Sequence, residues 1–142
     1  MTNVSLPKVA FVCTHNSCRS QIAEALAKSI AADAFDVYSA GTHPAPAVND
    51  TALRLLEQRG IDTSGLYPKT LPEIPSVDYV ITMGCGVACP TLACKHREDW
   101  GLEDPSGKDD ATFLECMATI ERNILELKDV ILSSSRSDDE RA

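Results

Sequence analysis

Residues 8–32 place the tightest constraint on what this chain can fold into. Lys8-Val-Ala-Phe-Val12 is a short apolar run of β-branched and aromatic residues that ends at Cys13. A polar turn follows, and then Ile22, Leu26 and Ile30 recur four apart, with Ala23, Ala27 and Ala31 beside them. The run suits a buried parallel strand, and the stripe predicts a helix from about residue 18 to 32 with one apolar face. A buried strand that turns straight into such a helix opens a strand–helix–strand unit. That unit implies a parallel sheet with right-handed crossovers.

The rest of the chain repeats the alternation. Phe35–Ser39 predicts a second strand, and the Gly- and Pro-containing stretch 40–48 a loop. Asn49 or Asp50 caps a helix that turns Ala52, Leu55 and Leu56 inward and stops at Gly60. Residues 64–75, with three prolines, read as loop with a helical turn. Val77–Thr82 is a third strand, and a fourth falls near Lys95–Trp100. Phe113, Met117, Ile120, Ile124, Leu127 and Ile131 then mark one face of a long helix capped by Asp109 or Asp110. The expected fold is α/β and flavodoxin-like: a three-layer sandwich of a four-stranded parallel sheet with helices on both faces. One domain covers 1–132, and the polar residues 133–142 are expected to be a disordered tail.

Charge narrows the partners. Thirteen basic against 21 acidic residues leave a net charge of −8, unsuited to phosphate backbones or anionic membranes. No apolar run is long enough to span a bilayer, and the first residues lack the pattern of a signal peptide. The expectation is an intracellular, cytoplasmic monomer with no nucleic-acid or membrane partner. In a reducing compartment the six cysteines (Cys13, Cys18, Cys85, Cys89, Cys94 and Cys116) point to catalysis, redox work, metal binding or burial rather than to scaffolding.

Ligands of such folds sit beyond the carboxyl ends of the strands, which puts the turn Cys13-Thr14-His15-Asn16-Ser17-Cys18-Arg19, followed by Ser20, at the expected site. Backbone N–H groups of this turn and of the first helical residues converge there, and the helix dipole adds positive charge. Arg19 adds a planar fork for two oxygens of a tetrahedral oxyanion. Loop and helix therefore form a cradle for phosphate or a similar anion, with Cys13 at its floor as a nucleophile whose thiolate the same donors stabilise. Ser20 is placed to hydrogen-bond that sulfur, and Asn16 to hold a tight or left-handed turn.

These residues resemble the low-molecular-weight protein tyrosine phosphatase superfamily, and more closely its arsenate reductase branch. The resemblance runs through Val12–Ser20 and Gln21–Ala25, Tyr38-Ser-Ala-Gly41, Gly60-Ile-Asp62, Val80–Met83 and Trp100-Gly-Leu-Glu-Asp-Pro105. It implies Cys13 as nucleophile, with Arg19 and the loop from Thr14 to Ser20 as oxyanion binders. It also implies Asp104, ahead of Pro105, as general acid; a carboxyl beside a bound polyanion has its neutral form favoured. No cofactor is implied.

The two branches part after Cys13 attacks. Hydrolysis needs only water, whereas reducing arsenate takes two electrons, which two thiols supply by becoming a disulfide. Gly84-Cys85-Gly-Val-Ala-Cys89-Pro90, with Cys94 beyond, follows the third strand and carries such thiols. By resemblance Cys85 is the second thiol and Cys89 the third. Only three residues separate them, against a longer interval in thioredoxin-coupled relatives, so Cys94 is a possible additional thiol. The expected function is arsenate reduction with a thioredoxin-like dithiol reductant, phosphate and sulfate being substrate analogues. The alternatives are a low-molecular-weight tyrosine phosphatase and, third, an oxyanion-binding module without catalysis.

A zinc site from Cys85, Cys89, Cys94 and His96 lacks the usual paired spacing. Cys116 falls on the apolar helical face and reads as core, Cys18 as structural or accessory, and His43 and His96 as surface. Some relatives bind potassium behind the loop at positions matching Asn16, Glu24 and Ser39. The remaining two positions are Tyr67 and Lys69, poor cation ligands, and Lys69 is suited to replace the ion's charge. No metal is expected.

Overall fold

The computed structural model describes residues 6–84 and 95–141. The strands are β1 (Lys8–Cys13), β2 (Asp36–Gly41), β3 (Tyr79–Thr82) and β4 (His96–Asp99), and the helices α1 (Arg19–Ile30), α2 (Asp50–Gln58) and α3 (Asp110–Arg141). All strand pairs are parallel, in the order β2-β1-β3-β4. The chain thus starts at the centre of the sheet and reverses its direction of winding there. The carboxyl ends of β1, β2 and β3 lie together: Cys13 is in register with Gly41, and Val12 with Thr82.

Alternation along β1 divides the core. Val9, Phe11 and Cys13 face one cluster with the apolar sides of α1, α2 and α3, while Ala10 and Val12 face a smaller one with Val77 and Val80. The second face is covered, among the described residues, by the 3-10 turn Leu71–Glu73 and by Ile74 and Tyr38. Helical cover is therefore present on both faces but unequal. The stripe on α3 is buried as its spacing predicts, from Phe113 to Ile131. Each such Ile, Leu or Phe contributes about 1.5–3 kcal/mol by leaving water.

Local chemistry explains the element ends. Asn49 Oδ1 accepts from Ala52 N and starts α2, and Asp109 Oδ1 accepts from Thr112 N and starts α3. β3 begins two residues later than its apolar run, because Asp78 is tied to Lys8 on both its backbone N–H and its carboxylate. At the other end, α3 continues to Arg141, through residues whose polarity predicts a disordered tail. No Gly or Pro occurs after Gly107, so nothing local stops the helix.

Candidate active site

The loop between β1 and α1 is held from outside by its carbonyls. Thr14 O accepts from His43 N at 2.8 Å, His15 O from Ala45 N at 2.9 Å and Ser17 O from Asn49 N at 2.7 Å. Asn16 O accepts from the Gln21 side chain at 2.9 Å, and Cys18 O from Ile22 N at 2.8 Å. A trans peptide points its N–H opposite to its C=O. Five carbonyls turned outward therefore turn the N–H groups of residues 15 to 19 toward the inside of the loop. One of them, Asn16 N, donates to Cys13 Sγ at 3.2 Å. The first turn of α1 has no acidic residue and no side-chain cap, so its positive end is left for a ligand.

Two residues make this tight loop possible. Asn16 has φ +48°, a left-handed conformation that asparagine tolerates. Its Oδ1 accepts from Lys69 N and its Nδ2 donates to Ser20 Oγ, both at 2.8 Å. Ser20 Oγ in turn lies 2.8 Å from Cys13 Sγ. Gly41, at the end of β2, is the second: a Cβ there would stand 2.7 Å from Thr14 O and 2.9 Å from Asn16 Cβ. The loop backbone crosses β2 with no room for a side chain.

Arg19, 7% exposed, sits at the first position of α1. Its Nη1 donates to Met83 O at 2.8 Å and to Leu102 O at 2.7 Å, so the guanidinium joins the end of β3 to the loop after β4. Its Nη2 stands 3.9 Å from the Asp104 carboxylate. Burial pushes the Asp104 pKa up, but the Ser106 N–H and hydroxyl, then Arg19 and His15, outweigh it and hold the carboxyl below its usual range. Asp104 is thus ionised at neutral pH. His15 is exposed at the rim, with Nδ1 3.2 Å from His43 O.

Behind the loop lies buried Glu24. Lys28 donates to its Oε2 at 2.8 Å, and Ser39 Oγ and the Lys69 ammonium (3.3 Å) meet its Oε1. Lys69 Nζ also donates to Tyr67 O at 2.8 Å and lies over the Tyr67 ring. Lys69 thus carries a positive charge into the space behind the loop.

The structure brings Cys13, Asn16, Arg19, Ser20 and Asp104 together. Cys18 and Cys116 are buried near them as thiols: burial raises Cys18 to about 12 and Cys116 to about 11. Cys85, Cys89 and Cys94 lie outside the described residues. His43 and His96 are exposed. Sequence reading missed Gln21, a fully buried amide that donates to Asn16 O and Tyr67 O; a polar residue beside Ile22 on the buried side of a helix was its signal. It also missed Ser106, which completes an Asx-type turn on Asp104 at 3.0 Å.

The chain is similar to known proteins over most of its length. The chain is 37% identical over 126 residues to a glutaredoxin arsenate reductase of Synechocystis, covering 85% of this chain and 92% of the relative. A solved arsenate reductase in the phosphate-binding state superposes with a TM-score of 0.82 at 36% identity, over 89% of this chain and 99% of that one. The thioredoxin-dependent arsenate reductase of Corynebacterium glutamicum gives 0.76 at 38% identity, over 94% of this chain and 65% of that one. Residues 8–136 match the model of the low molecular weight phosphotyrosine protein phosphatase family, and the chain belongs to it.

Proposed function

We propose that this protein reduces arsenate to arsenite by a cysteine thiol cascade that starts at Cys13. The observation that carries the reading is the Cys13 sulfur on the floor of a loop whose carbonyls are all tied outward. Inward N–H groups and the positive end of α1 bind the oxyanion and favour the more highly charged transition state. Arg19, whose Nη1 is committed to two carbonyls, offers its remaining N–H groups to the anion. Cys13 attacks arsenic and Asp104 protonates the departing oxygen as water.

The bound anion supplies the proton's incentive. Negative charge next to Asp104 competes for Arg19 and raises the carboxyl's proton affinity. Cys85 then attacks the Cys13 sulfur: the S–S bond forms, the S–As bond breaks, and its electron pair leaves with arsenic as arsenite. Cys89 then attacks the Cys85 sulfur, which forms the Cys85–Cys89 disulfide and releases the Cys13 thiolate, and that disulfide is presented to a thioredoxin-like dithiol protein in the cytoplasm, the enzyme acting as a monomer. Two of the relatives above are a glutaredoxin arsenate reductase and a thioredoxin-dependent arsenate reductase, so both proteins are to be assayed as donors.

A second reading is hydrolysis of aryl phosphates, favoured because Cys13, Arg19 and Asp104 are all that such a reaction needs. A mutation series separates the two. Cys13→Ser abolishes both activities. Cys85→Ser stops arsenate turnover and spares hydrolysis, while Cys89→Ser permits a single turnover at most. Cys94→Ser matters less unless it carries the third role. Unchanged arsenate turnover in both the Cys85→Ser and Cys89→Ser enzymes would sink the cascade and leave the phosphatase.

A further inference from the structure

The peptide between Met83 and Gly84, the last described before Cys85, is held on both sides. Its carbonyl, Met83 O, accepts from Arg19 Nη1 at 2.8 Å and from Leu102 N at 3.1 Å. Its N–H, on Gly84, donates to Asp99 Oδ1 at 2.6 Å. The same oxygen accepts from Thr82 Oγ1 at 2.8 Å, so one carboxylate at the end of β4 grips the end of β3 twice. Gly84 has φ +82°, and a Cβ there would stand 2.7 Å from Gly101 Cα and 2.8 Å from Leu102 N. The chain therefore leaves β3 through a crossing of two backbones, in a fixed peptide orientation, one residue before a cysteine.

From this clamp we infer that Asp99 is a positioning residue for the second thiol step. The inference rests on the arsenate reading proposed above. One side of the peptide is held by Arg19, which also serves the oxyanion; the other is held by Asp99, which is exposed and does not touch the loop of residues 13–20. In the second step a sulfur at position 85 must approach the Cys13 sulfur opposite the S–As bond. An attack of that kind loses rate steeply when its anchor is loose. Thr82, the other group on Asp99 Oδ1, is in register with Asp99 on the adjacent strand, so the carboxylate itself is well seated. Asp99 has no part in the first step, since neither anion binding nor attack by Cys13 involves the Gly84 N–H.

The test uses the full-length reduced enzyme with no external reductant. One equivalent of arsenate is added, and arsenite and the protein disulfide are followed with time, beside the Kd for inorganic phosphate and the melting temperature. Removing the acceptor in Asp99→Ala is expected to slow arsenite formation about tenfold, the scale of one lost hydrogen bond to a charged group. Phosphate affinity and aryl phosphate hydrolysis stay within about twofold of the wild type, consistent with a site that keeps its own contacts. Asp99→Asn keeps an acceptor oxygen and is expected to restore most of the rate. The assignment is overturned if Asp99→Ala forms arsenite as fast as wild type. It is equally overturned if arsenite formation and phosphate affinity fall together, or if Asp99→Asn is as slow as Asp99→Ala. Wild-type enzyme that binds phosphate but makes no arsenite refutes the arsenate reading itself, and this assignment with it.

Discussion

Replacing Asn16 tests whether the loop is held by the two hydrogen bonds and the left-handed turn described above. Two changes separate the contributions. Asn16→Gly keeps the φ of +48° at no steric cost but deletes the bonds to Lys69 N and Ser20 Oγ. The Lys69 N–H is buried, and leaving it unpaired costs about 1–3 kcal/mol, with about 1 kcal/mol more for the Ser20 bond. Asn16→Ala deletes the same bonds and also forces a Cβ into the left-handed region, adding about 1 kcal/mol. Losses of about 2–4 kcal/mol for the glycine variant and about 3–5 kcal/mol for the alanine variant lower the melting temperature of a domain this size by roughly 4–20 °C. Urea unfolding monitored by the fluorescence of Trp100, the sole tryptophan, gives the free energies, and calorimetry gives the midpoints. The expected order is wild type, then Gly, then Ala. An alanine variant within about 0.5 kcal/mol of wild type, inside the range of an ordinary surface change, refutes the assigned bonds. A glycine variant less stable than the alanine variant refutes the strain.

Three further outcomes follow from the same geometry. Gly41→Ala drives a Cβ into Thr14 O and Asn16; overpacking costs about 1–3 kcal/mol, and phosphate affinity measured by calorimetry should fall with stability. An unaltered phosphate Kd contradicts the close crossing. Asp104 has its folded pKa below the unfolded value, so its stabilisation is present above the ordinary carboxylate range and is lost as pH falls through the folded pKa. Asp104→Asn should therefore be less stable than wild type at pH 7, and the gap should narrow as pH falls through the folded pKa; a gap that does not change with pH shows another cause. Cys18 and Cys116 have raised values, about 12 and about 11 against 9.0. Their contribution is complete below pH 9 and declines as pH rises toward those values. Iodoacetamide at pH 8 should leave both unlabelled in native protein by mass spectrometry, and labelling of either at the rate of Cys13 contradicts their burial.

What the sequence revealed follows from the range of the physics involved. The strand at 8–13, the stripe on α1 and the α3 face were legible because a buried element must repeat its apolar residues at its own period. The loop was legible because Cys13, Asn16 and Arg19 act through their own turn. Lys69 could be placed only through the resemblance, since no local pattern brings residue 69 against Glu24. The partners of Arg19 were not legible at all. Its Nη1 bonds Met83 O and Leu102 O, backbone atoms 64 and 83 positions away, and no side chain at either position advertises a carbonyl. Gly41 is similar: its glycine reads as loop punctuation, while the cause is the crossing with Thr14 and Asn16.

Arg19 joins these threads. It begins α1, stands 3.9 Å from Asp104 and anchors the carbonyls that precede Gly84 and Glu103. The two backbone anchors hold the guanidinium between the end of β3 and the loop after β4. A lysine has three donors on one rotating nitrogen and cannot hold two carbonyls and an oxyanion in one plane. An oxyanion entering the cradle meets a cation whose position is already set, and the reorganisation that charge stabilisation would otherwise cost is avoided. The same cation adds to the Ser106 hydrogen bonds that hold the Asp104 pKa down. In the mechanism proposed above, the bound anion draws on that charge and leaves Asp104 more basic, so that it takes up a proton when there is an oxygen to receive it. On that proposal the site arms its proton donor only with the substrate in place, and the nucleophile, the acid and the chain leading to Cys85 all answer to one guanidinium.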